Sequence, residues 1–308
     1  MGITMQAVII NDYGDNQVVR LESVALPQPR AGEVRIRIHA AGVNPIDWKI
    51  RDGAGRRLGM TLPVHLGSEI AGTIDQLGAD VGSFQVGDAV YGIVAAGGFA
   101  EYVIARAGDI AARPASLDFV QAAAVPLGAL TSWQALFEVA GLARGQRLFV
   151  TNASGSVGAL AVQLAKSIGA HVTAMASAKN EAHVRSLGVD AFIAHDRQIF
   201  EQAAHDMDVV FDTVGGDIFQ RAGPTLRPGG WLVTAVAFPT DEARQYGVRV
   251  ARVACRPDAA QLGAIGDLAD AGRLKARVGA VLPLAEVRQA LELVQRGNTG
   301  GKVVLQLV

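Results

Sequence analysis

Cysteine is almost absent from this sequence, because Cys255 is the one thiol among 308 residues. A single cysteine excludes an intrachain disulfide, and it excludes metal clusters that need several thiolates from one chain. An excess of either charge is missing too, since the formal net charge is −1. The chain therefore offers no general electrostatic attraction for the phosphates of nucleic acid, and we expect no nucleic-acid partner.

Long apolar runs are also missing. Half of the residues are hydrophobic, yet no uninterrupted apolar stretch reaches the roughly 20 residues that cross a bilayer as a helix. Residues 1–10 lack the basic start and the long apolar core of a secretion signal. The length is sufficient for two domains, and we expect a cytoplasmic protein with no membrane partner.

The most informative segment that is present covers residues 147–158 and reads RLFVTNASGSVG. An apolar strand pattern leads into small residues spaced as Ala153-x-Gly155-x-x-Gly158, the glycine fingerprint of dinucleotide-binding folds with alanine in first place. A small first residue permits the tight turn, Gly155 lets backbone N–H groups approach a pyrophosphate, and Gly158 lets the helix lie close to the strand. By itself, the pattern is equally compatible with a strand, turn and helix that use glycine only for packing.

The fingerprint also predicts which residues contact the cofactor. A pyrophosphate would lie at the N-terminus of the helix, where unpaired N–H groups and the helix dipole favour an anion. The predicted cofactor-binding residues of this loop are Ser154, Gly155, Ser156, Val157 and Gly158.

Repeated strand and helix patterns after the loop support this interpretation. Strand patterns occupy residues 171–176, 191–194 and 208–211, and residues 231–236 form another behind a predicted turn at 227–230. Strands that alternate with helical stretches indicate a parallel sheet with helices on both faces. The main alternative for such a sheet is another adenosyl cofactor, as in a methyltransferase-like protein.

The two ends of the chain have a different character. Up to about residue 119, short runs such as 33–39 alternate polar and apolar residues, and glycine-bearing turns such as 86–92 separate them. This pattern predicts an antiparallel, barrel-like domain. From about residue 257, the sequence predicts a helix over 259–271, a helix over 285–295 and a terminal strand over 302–307.

Seven sequence blocks carry a resemblance to a known family. They are residues 40–51 (AAGVNPIDWKIR), 66–72 (LGSEIAG), 86–92 (VGDAVYG), 98–103 (GFAEYV), 122–133 (AAAVPLGALTSW), 152–158 (NASGSVG) and 301–305 (GKVVL). Through these blocks the chain resembles, over nearly its whole length, the medium-chain dehydrogenase/reductase superfamily and its zinc-free quinone oxidoreductase (zeta-crystallin-like) group. The resemblance implies an α/β protein. A GroES-like catalytic domain of the β-barrel type would cover residues 1–119 and 257–308, and a Rossmann domain with a doubly wound parallel sheet, which binds NADP(H), would cover residues 120–256.

The same resemblance implies that no zinc is bound. Zinc-dependent members hold a catalytic metal with a cysteine, the histidine of a Gly-His-Glu triplet and a third cysteine or acid. The matching positions here are Asn44, Ser68 and Leu127, which do not form a zinc ligand set. The structural zinc of those members needs four cysteines in one loop, and this chain has one cysteine in total.

Without a metal, the expected chemistry is restricted. Oxidising an unactivated alcohol requires removal of a proton from a very weak acid, which a metal ion makes possible near neutral pH. Hydride addition to a quinone or an α,β-unsaturated carbonyl instead gives a delocalised anion that a few hydrogen-bond donors can hold. We therefore expect an enzyme that reduces such acceptors with a hydride from NADPH. Because the group includes members with structural roles, a non-catalytic NADP(H)-binding protein is the alternative.

Two residues are candidates for catalysis. Asn44 falls at the cleft position of the family motif, and its amide could donate to a substrate or nicotinamide oxygen; it could equally stabilise a turn. Lys49 stands where well-known quinone reductases carry a tyrosine, and it could donate to a developing oxyanion or be a solvated charge. Asp47 and Glu69 match acids of the superfamily and could orient Lys49 or Arg51, or form a structural ion pair.

The resemblance also implies which residues lie beside the nicotinamide. These are Thr131 and, after the fifth strand of the cofactor domain, Ala235, Val236 and Phe238. Trp48 and Phe238 could form apolar walls for a flat acceptor, although aromatic residues at such positions usually belong to the core.

The choice of cofactor depends on the end of the second strand of the predicted sheet. An NAD-preferring site places an acid there, which accepts hydrogen bonds from the ribose hydroxyls. Residues 176–180 read ASAKN and contain no acid. Ser177 can donate a hydrogen bond to a 2′-phosphate and Lys179 can add a positive charge, so we expect a preference for NADPH. Alternatively, Lys179 is a solvated residue that opens the next helix.

A prediction about assembly comes from residues 248–254. Their sequence, VRVARVA, alternates as an edge strand should, and in the resembling enzymes the matching strand pairs across a two-fold axis. We therefore expect a homodimer with a continuous sheet.

Overall fold

The strands of the protein lie throughout the chain. The computed structural model describes residues 2–307. In chain order, the strands of these residues are β1 (Thr4–Ile10), β2 (Val19–Ala25), β3 (Glu33–Val43), β4 (Val64–His65), β5 (Glu69–Leu77), β6 (Ala89–Ile93), β7 (Tyr102–Arg106), β8 (Ile110–Ala112), β9 (Arg147–Val150), β10 (His171–Ala176), β11 (Ala191–Ala194), β12 (Met207–Asp212), β13 (Leu226–Thr234), β14 (Arg249–Arg252), β15 (Val278–Pro283) and β16 (Lys302–Gln306).

The helices alternate with strands most regularly in the middle of the chain. The α-helices of the described residues are α1 (Pro45–Lys49), α2 (Gly55–Arg57), α3 (Phe119–Ala122), α4 (Pro126–Trp133), α5 (Ser156–Ser167), α6 (Glu181–Ser186), α7 (Phe200–Ala203), α8 (Gly216–Ala222), α9 (Glu242–Tyr246), α10 (Ala259–Asp270) and α11 (Val287–Arg296). Short π-helical segments follow α1 and α4 at Ile50–Ala54 and Gln134–Val139. Turns of 3-10 helix lie at Asn16–Val18, Ala107–Asp109, Ala178–Asn180, Gly223–Thr225 and Leu284–Glu286. Across residues 2–307, no helix is both long and apolar enough to span a membrane.

The chain folds as two compact units. The first unit contains the described residues up to Leu127, the segment Pro257–Gly272 and the described residues from Ala276 onward. The second unit contains Gly128–Arg256 and the short segment Arg273–Lys275. Both units are therefore discontinuous in sequence, because the chain passes from one unit to the other more than once.

The second unit is built on a parallel sheet with the strand order β11-β10-β9-β12-β13-β14. Its first strand, β9, lies between β10 and β12, so the strand order reverses at that point. This is the usual order of a dinucleotide-binding sheet, and ligands bind at the carboxyl edge beside the reversal. The prediction of a doubly wound Rossmann sheet is confirmed. Leu148, Phe149 and Val150 of β9 are fully buried, because helices cover both faces of such a sheet.

Helix α5 shows how the local sequence determines an element of this unit. Leu160, Leu164 and Ala165 recur at helical spacing and are buried, which is the pattern of a helix that packs one face on a sheet. The helix ends at Ser167, and Gly169 follows with a φ of +79°. Only glycine adopts that conformation without strain, so it terminates the helix as the sequence predicts.

The first unit contains a mixed sheet and a smaller antiparallel one. The mixed sheet has the order β15-β16-β3-β5-β6-β8, with β7 also paired to β3, and the smaller sheet has the order β2-β1-β4. Val34, Ile36 and Ile38 of β3 are fully buried and alternate with more exposed residues, as the pattern over 33–39 predicts. The terminal strand β16 pairs antiparallel with the end of β3.

The turn predicted at 227–230 is the main local error in the sequence analysis. These residues lie inside β13, where Met207 pairs with Leu226 and the next pair is Val209 with Trp231. The additional residues of β13 form an irregularity of the bulge type. Gly229 has a φ of +70° and donates its N–H to the carbonyl oxygen of Gly247 at 3.0 Å, so the segment is held by backbone pairing rather than ending the strand.

Candidate functional site

The loop after β9 has the shape of a phosphate cradle. Gly155 is the N-terminal cap of α5 and is extended, with φ −79° and ψ 163°. A Cβ on Gly155 would lie 2.7 Å from Asn152 Nδ2, and a Cβ on Gly158 would lie 2.4 Å from the Asn152 carbonyl oxygen. Gly158 is therefore required to be glycine by the Asn152 backbone, whereas a Cβ on Gly155 would displace only the Asn152 side chain.

This cradle fits a pyrophosphate. Ser154, Ser156 and Val157 are half-buried beside the loop, and the first N–H groups of an α-helix have no partner within the helix. They point out of the start of α5, which has 12 residues and therefore a sizeable dipole. These donors match an anionic group at a helix N-terminus.

A buried carboxylate fixes the strand ends around the cradle. Asp212, at the end of β12, is fully buried. It accepts hydrogen bonds from Thr151 Oγ1 at 3.2 Å and Thr234 Oγ1 at 2.7 Å. It also accepts from the backbone N–H groups of Val214 at 3.0 Å and Gly215 at 3.1 Å. The ends of β9, β12 and β13 are thereby joined through one side chain, whose role no local sequence pattern indicates.

The residues expected beside the nicotinamide occupy different environments. Ala235 and Val236 follow β13, and the Val236 N–H donates to Thr234 Oγ1 at 3.2 Å. Phe238 is 78% exposed and its ring lies 4.4 Å from the Arg252 guanidinium. Thr131 lies in α4 and is buried. The structure thus brings Ala235 and Val236 to the same sheet edge as the glycine loop, whereas Phe238 extends into solvent.

Polar side chains meet at the end of β10. Asn180 Nδ2 donates to Ser177 Oγ at 2.9 Å and to Ser154 Oγ at 3.2 Å, so the second strand of the sheet and the glycine loop are linked. The Ala178 N–H donates to Asp196 Oδ1 at 2.9 Å, and this hydrogen bond lowers the pKa of Asp196. Lys179 is exposed beside them. Asn180 was not recognised from the sequence, because a lone asparagine carries no distinctive pattern.

In the first unit, Asn44 belongs to a buried charged cluster. Lys302 Nζ lies 2.5 Å from Glu69 Oε2 and donates to Asn44 Oδ1 at 2.6 Å. Asn44 Nδ2 donates to Glu69 Oε2 at 2.9 Å and to the Gly42 carbonyl oxygen at 3.3 Å. The Leu127 N–H donates to Glu69 Oε1 at 2.9 Å. The exposed fractions of Asn44, Glu69 and Lys302 are 2%, 0% and 3%.

The strand pairing explains how this cluster forms. Gly42 of β3 pairs with Glu69 of β5, and the adjacent Val43 pairs with Val303 of β16, next to Lys302. A Cβ on Gly42 would lie 2.4 Å from Glu69 Oε2. Glycine at this position therefore makes room for the buried carboxylate.

Asp47 lies next to the cluster and is also buried. Its Oδ2 accepts the Asn44 backbone N–H at 2.7 Å at the start of α1. Burial raises the pKa of Asp47 to about 7, against the opposing effects of that hydrogen bond and of the Lys302 charge. Asp47 therefore titrates near neutral pH.

Glu69 forms the structural ion pair that was the alternative to orienting Lys49 or Arg51. Glu69 pairs with Lys302, whereas Arg51 bonds to Asp52 and to Gln295 Oε1 at 2.9 Å. Lys49 is exposed, and its Nζ lies 5.6 Å from the ring centroid of Trp48 rather than in the buried cluster. The physical reason is the strand pairing. Because β3 pairs with β16 on one side and with β5 on the other, Lys302 of β16 lies next to the Glu69 carboxylate of β5.

The residues of this cluster do not fit a zinc ion. The positions that the resemblance equates with the ligands are Asn44, Ser68 and Leu127, and zinc requires cysteine, histidine or carboxylate donors around it. The side-chain oxygen of Asn44, Oδ1, already accepts a hydrogen bond from the Lys302 ammonium. The charge of this ammonium would repel a metal cation. Within residues 2–307, no group of three or more His, Cys, Asp or Glu residues could hold a metal ion.

Comparison with known proteins agrees with this fold. Residues 30–115 match the family described as alcohol dehydrogenase GroES-like domain, which confirms the GroES-like fold expected for the first domain. Residues 187–305 match the family described as zinc-binding dehydrogenase. The solved quinone oxidoreductase from Coxiella burnetii is 31% identical with a TM-score of 0.92, over 99% of this chain and 100% of that chain.

Two curated relatives extend the comparison. NADPH-dependent alkenal/one oxidoreductase, chloroplastic, from Arabidopsis thaliana is 30% identical over 98% of this chain and 79% of its own length. NAD(P)H oxidoreductase RTN4IP1, mitochondrial, from Mus musculus is 32% identical over 99% of this chain and 89% of its own length. Identity of this extent over both units shows that the chain belongs to the medium-chain dehydrogenase/reductase superfamily of NAD(P)H oxidoreductases and to its quinone oxidoreductase-like group.

Proposed function

We propose that the protein reduces quinones or α,β-unsaturated carbonyls by hydride transfer from NADPH, without a metal ion. The observation that carries this proposal is the glycine cradle at the reversal point of the sheet, where Gly155 and Gly158 let the loop pack closely against Asn152 at the start of α5. Such a cradle fits a dinucleotide pyrophosphate. The names of the Coxiella and Arabidopsis relatives, a quinone oxidoreductase and an alkenal/one oxidoreductase, support the acceptor class.

The second unit would bind and orient the cofactor. Backbone N–H groups of Ser156, Val157 and Gly158 would hold the pyrophosphate, and the segment that begins at Ala235 would border the nicotinamide. When bound, the nicotinamide supplies the hydride. Asp212 would keep the loops after β9, β12 and β13 in place, since it bonds to all of these strand ends.

The first unit would stabilise the negative charge that develops on the acceptor oxygen. Asn44 Nδ2 makes a normal hydrogen bond to Glu69 but a long one of 3.3 Å to the Gly42 carbonyl oxygen. The second amide proton is the one for which a substrate oxygen could compete. Lys302 donates to Asn44 Oδ1, which polarises the amide and makes its N–H groups better donors. Lys49 is the other proposed donor, because its side chain is exposed.

We propose NADPH rather than NADH as the cofactor. Ser177 lies at the end of β10, where an NAD site would carry an acid, and Lys179 is exposed two residues later. Asp196, an acid beside this strand end, is bonded to the Ala178 N–H. The Arabidopsis relative is named NADPH-dependent.

A non-catalytic NADP(H)-binding protein is the alternative, and one observation favours it. Asn44, Glu69 and Lys302 bond to one another and are almost fully buried. A cluster of this kind can hold strands together without taking part in catalysis. The experiment below distinguishes the two functions.

The test is turnover in the presence of a strong chelator. Purified protein is mixed with NADPH and with separate panels of quinones and enones, and the loss of reduced nicotinamide absorbance is followed. We expect oxidation with at least one panel, unchanged by the chelator, and no stoichiometric zinc in the protein. NADPH binding without oxidation by any acceptor would support the non-catalytic alternative. Loss of turnover on chelation would contradict a metal-free reaction.

We also propose that the protein is a homodimer and that it acts in the cytoplasm. Strand β14 is the last strand of its sheet order and pairs with β13 along one edge. Its other edge therefore presents backbone groups that a second copy could pair with. The mitochondrial and chloroplastic names belong to the relatives, and cell fractionation would decide the compartment of this protein.

A further inference from the structure

A chain of hydrogen bonds links the glycine loop to the end of β10. Asn180 closes the turn Ala178–Asn180, and its backbone N–H donates to the Ser177 carbonyl oxygen at 2.9 Å. Its side-chain Nδ2 lies 2.9 Å from Ser177 Oγ and 3.2 Å from Ser154 Oγ. All of these side chains are half-buried. The Asn180 amide therefore bonds to two hydroxyl groups, one from the loop after β9 and one from the end of β10.

The direction of these hydrogen bonds is fixed by Asn152. A serine hydroxyl has one proton to donate and two positions at which it accepts. Ser154 Oγ donates its proton to Asn152 Oδ1 at 3.4 Å, so it accepts from Asn180. The nitrogen end of the Asn180 amide consequently faces both serines, and Ser177 Oγ also accepts. The Ser177 proton must then point away from Asn180.

A serine held as a donor discriminates between the two nicotinamide cofactors. The end of the second strand of a Rossmann sheet lies at the adenosine ribose, and β10 is that strand here. A donor hydroxyl makes a charge-assisted hydrogen bond to a 2′-phosphate oxygen, and such a bond is roughly twice as strong as one to a neutral group. The free 2′-hydroxyl of NADH offers only a neutral partner.

We propose that Asn180 determines cofactor specificity by orienting the Ser177 hydroxyl as a donor toward the 2′-phosphate of NADPH. Asn180 is a positioning residue in this role, because it acts through Ser177. The inference rests on the proposed function in that it assumes a nicotinamide dinucleotide in this unit. Asn180 would add to the preference for NADPH independently of the glycine fingerprint and of the Lys179 charge.

Replacing Asn180 by an acid reverses the polarity of the cluster. In Asn180→Asp, a carboxylate accepts protons from both serines, so Ser177 no longer has its proton available for a phosphate. The carboxylate also repels the phosphate directly. We expect the affinity for NADPH to fall about a hundredfold and that for NADH to stay within about twofold. In Asn180→Ala the orientation is lost without added charge, and we expect NADPH to lose between about twofold and tenfold.

The experiment is a binding titration of the whole protein. NADPH and NADH are titrated by nicotinamide fluorescence, and 2′,5′-ADP and 5′-AMP by calorimetry, since these fragments differ only in the 2′-phosphate. Gln202→Glu is the matched control: Gln202 is exposed on α7 of the same unit, and the variant adds the same charge. Thermal unfolding of both acidic variants checks that they fold.

The outcomes separate the inference from the proposed function. A selective loss of NADPH and 2′,5′-ADP binding in Asn180→Asp, absent in Gln202→Glu, would support the role of Asn180. Equal losses for NADPH and NADH, or no change for either, would overturn that role while wild-type NADPH binding still supports the proposed cofactor. Wild-type protein that binds neither dinucleotide would overturn both.

Discussion

The Lys302 ammonium lies 2.5 Å from the Glu69 carboxylate, and the two side chains are 3% and 0% exposed. They belong to β16 and β5, the terminal strand of the chain and a strand of its first part. Charges buried in this way are stable only when each has its partner, because desolvation of a lone charge is expensive. The ion pair therefore ties the end of the chain to the first unit, and it also polarises Asn44.

Breaking this ion pair should destabilise the protein strongly. Lys302→Met leaves the Glu69 carboxylate buried without its cation, and we expect a loss of about 3–5 kcal/mol in the free energy of unfolding. Denaturant unfolding measures this loss. Combining Lys302→Met with Glu69→Gln should recover part of it, since no uncompensated charge remains. The exposed pair Arg296 and Glu292 is the control, and Arg296→Ala should cost less than about 0.5 kcal/mol.

Stability should fall as the pH rises toward neutrality because of Asp47. Its pKa is raised from 3.8 to about 7 in the folded state, so above its ordinary value the folded protein holds a proton that the unfolded chain releases. The contribution of Asp47 to the free energy of unfolding is complete at low pH and is lost between about pH 4 and about pH 7. Over this range the free energy of unfolding should fall with pH at the slope that corresponds to about one bound proton. Asp47→Asn keeps an acceptor for the Asn44 N–H and should remove this slope. Unfolding curves at several pH values test it; an identical slope in the variant would contradict the assignment.

The two glycines of the cradle should differ in their tolerance of alanine. In Gly158→Ala the new Cβ meets the Asn152 backbone at 2.4 Å, whereas in Gly155→Ala it meets the Asn152 side chain at 2.7 Å. A side chain can move and a backbone cannot easily do so. Gly158→Ala should therefore cost about 1–3 kcal/mol and weaken NADPH binding more than Gly155→Ala. Gly263→Ala on α10, where the added Cβ meets nothing within 4 Å, serves as the control for the thermal unfolding measurement.

Lys179 should contribute to NADPH binding through its charge. A charge-assisted hydrogen bond contributes about 1.5–3 kcal/mol, so Lys179→Ala should weaken NADPH binding by about tenfold to a hundredfold. NADH binding should change little. Lys275→Ala removes an exposed lysine from the same unit and should affect neither cofactor in a fluorescence titration. Tighter binding of NADH than of NADPH by the wild type would show that the phosphate site is misassigned.

The edge strand β14 should be required for assembly. Light scattering at micromolar concentration should show a dimer. Val250 is half-buried on β14, and Val250→Pro removes a backbone donor from the exposed edge or from the β13 pairing, so it should give monomers. A monomeric wild type would contradict the proposed continuous sheet.

Much of the second unit follows from local sequence. The bounds predicted for β10 and β11 agree with His171–Ala176 and Ala191–Ala194, because β-branched and apolar runs between turn residues are strand signals that need no distant partner. The glycine fingerprint likewise predicts the cradle, since its requirements arise within a few residues of Asn152. The conformation of residues 227–230 depends instead on pairing across the sheet. They lie within β13 because a strand can accommodate extra residues as a bulge.

The sequence by itself determined most of the periodic elements and the glycine loop, because each rests on residues close together in the chain. It determined the family through seven blocks spread along its length. Only the tertiary structure decided the partners of polar side chains. It gave Glu69 the ammonium of Lys302 instead of Lys49 or Arg51, and it placed Asn180 over Ser177 and Ser154. A charge or amide can bond to any complementary group within about 3 Å, and which group comes that close depends on how distant strands are paired.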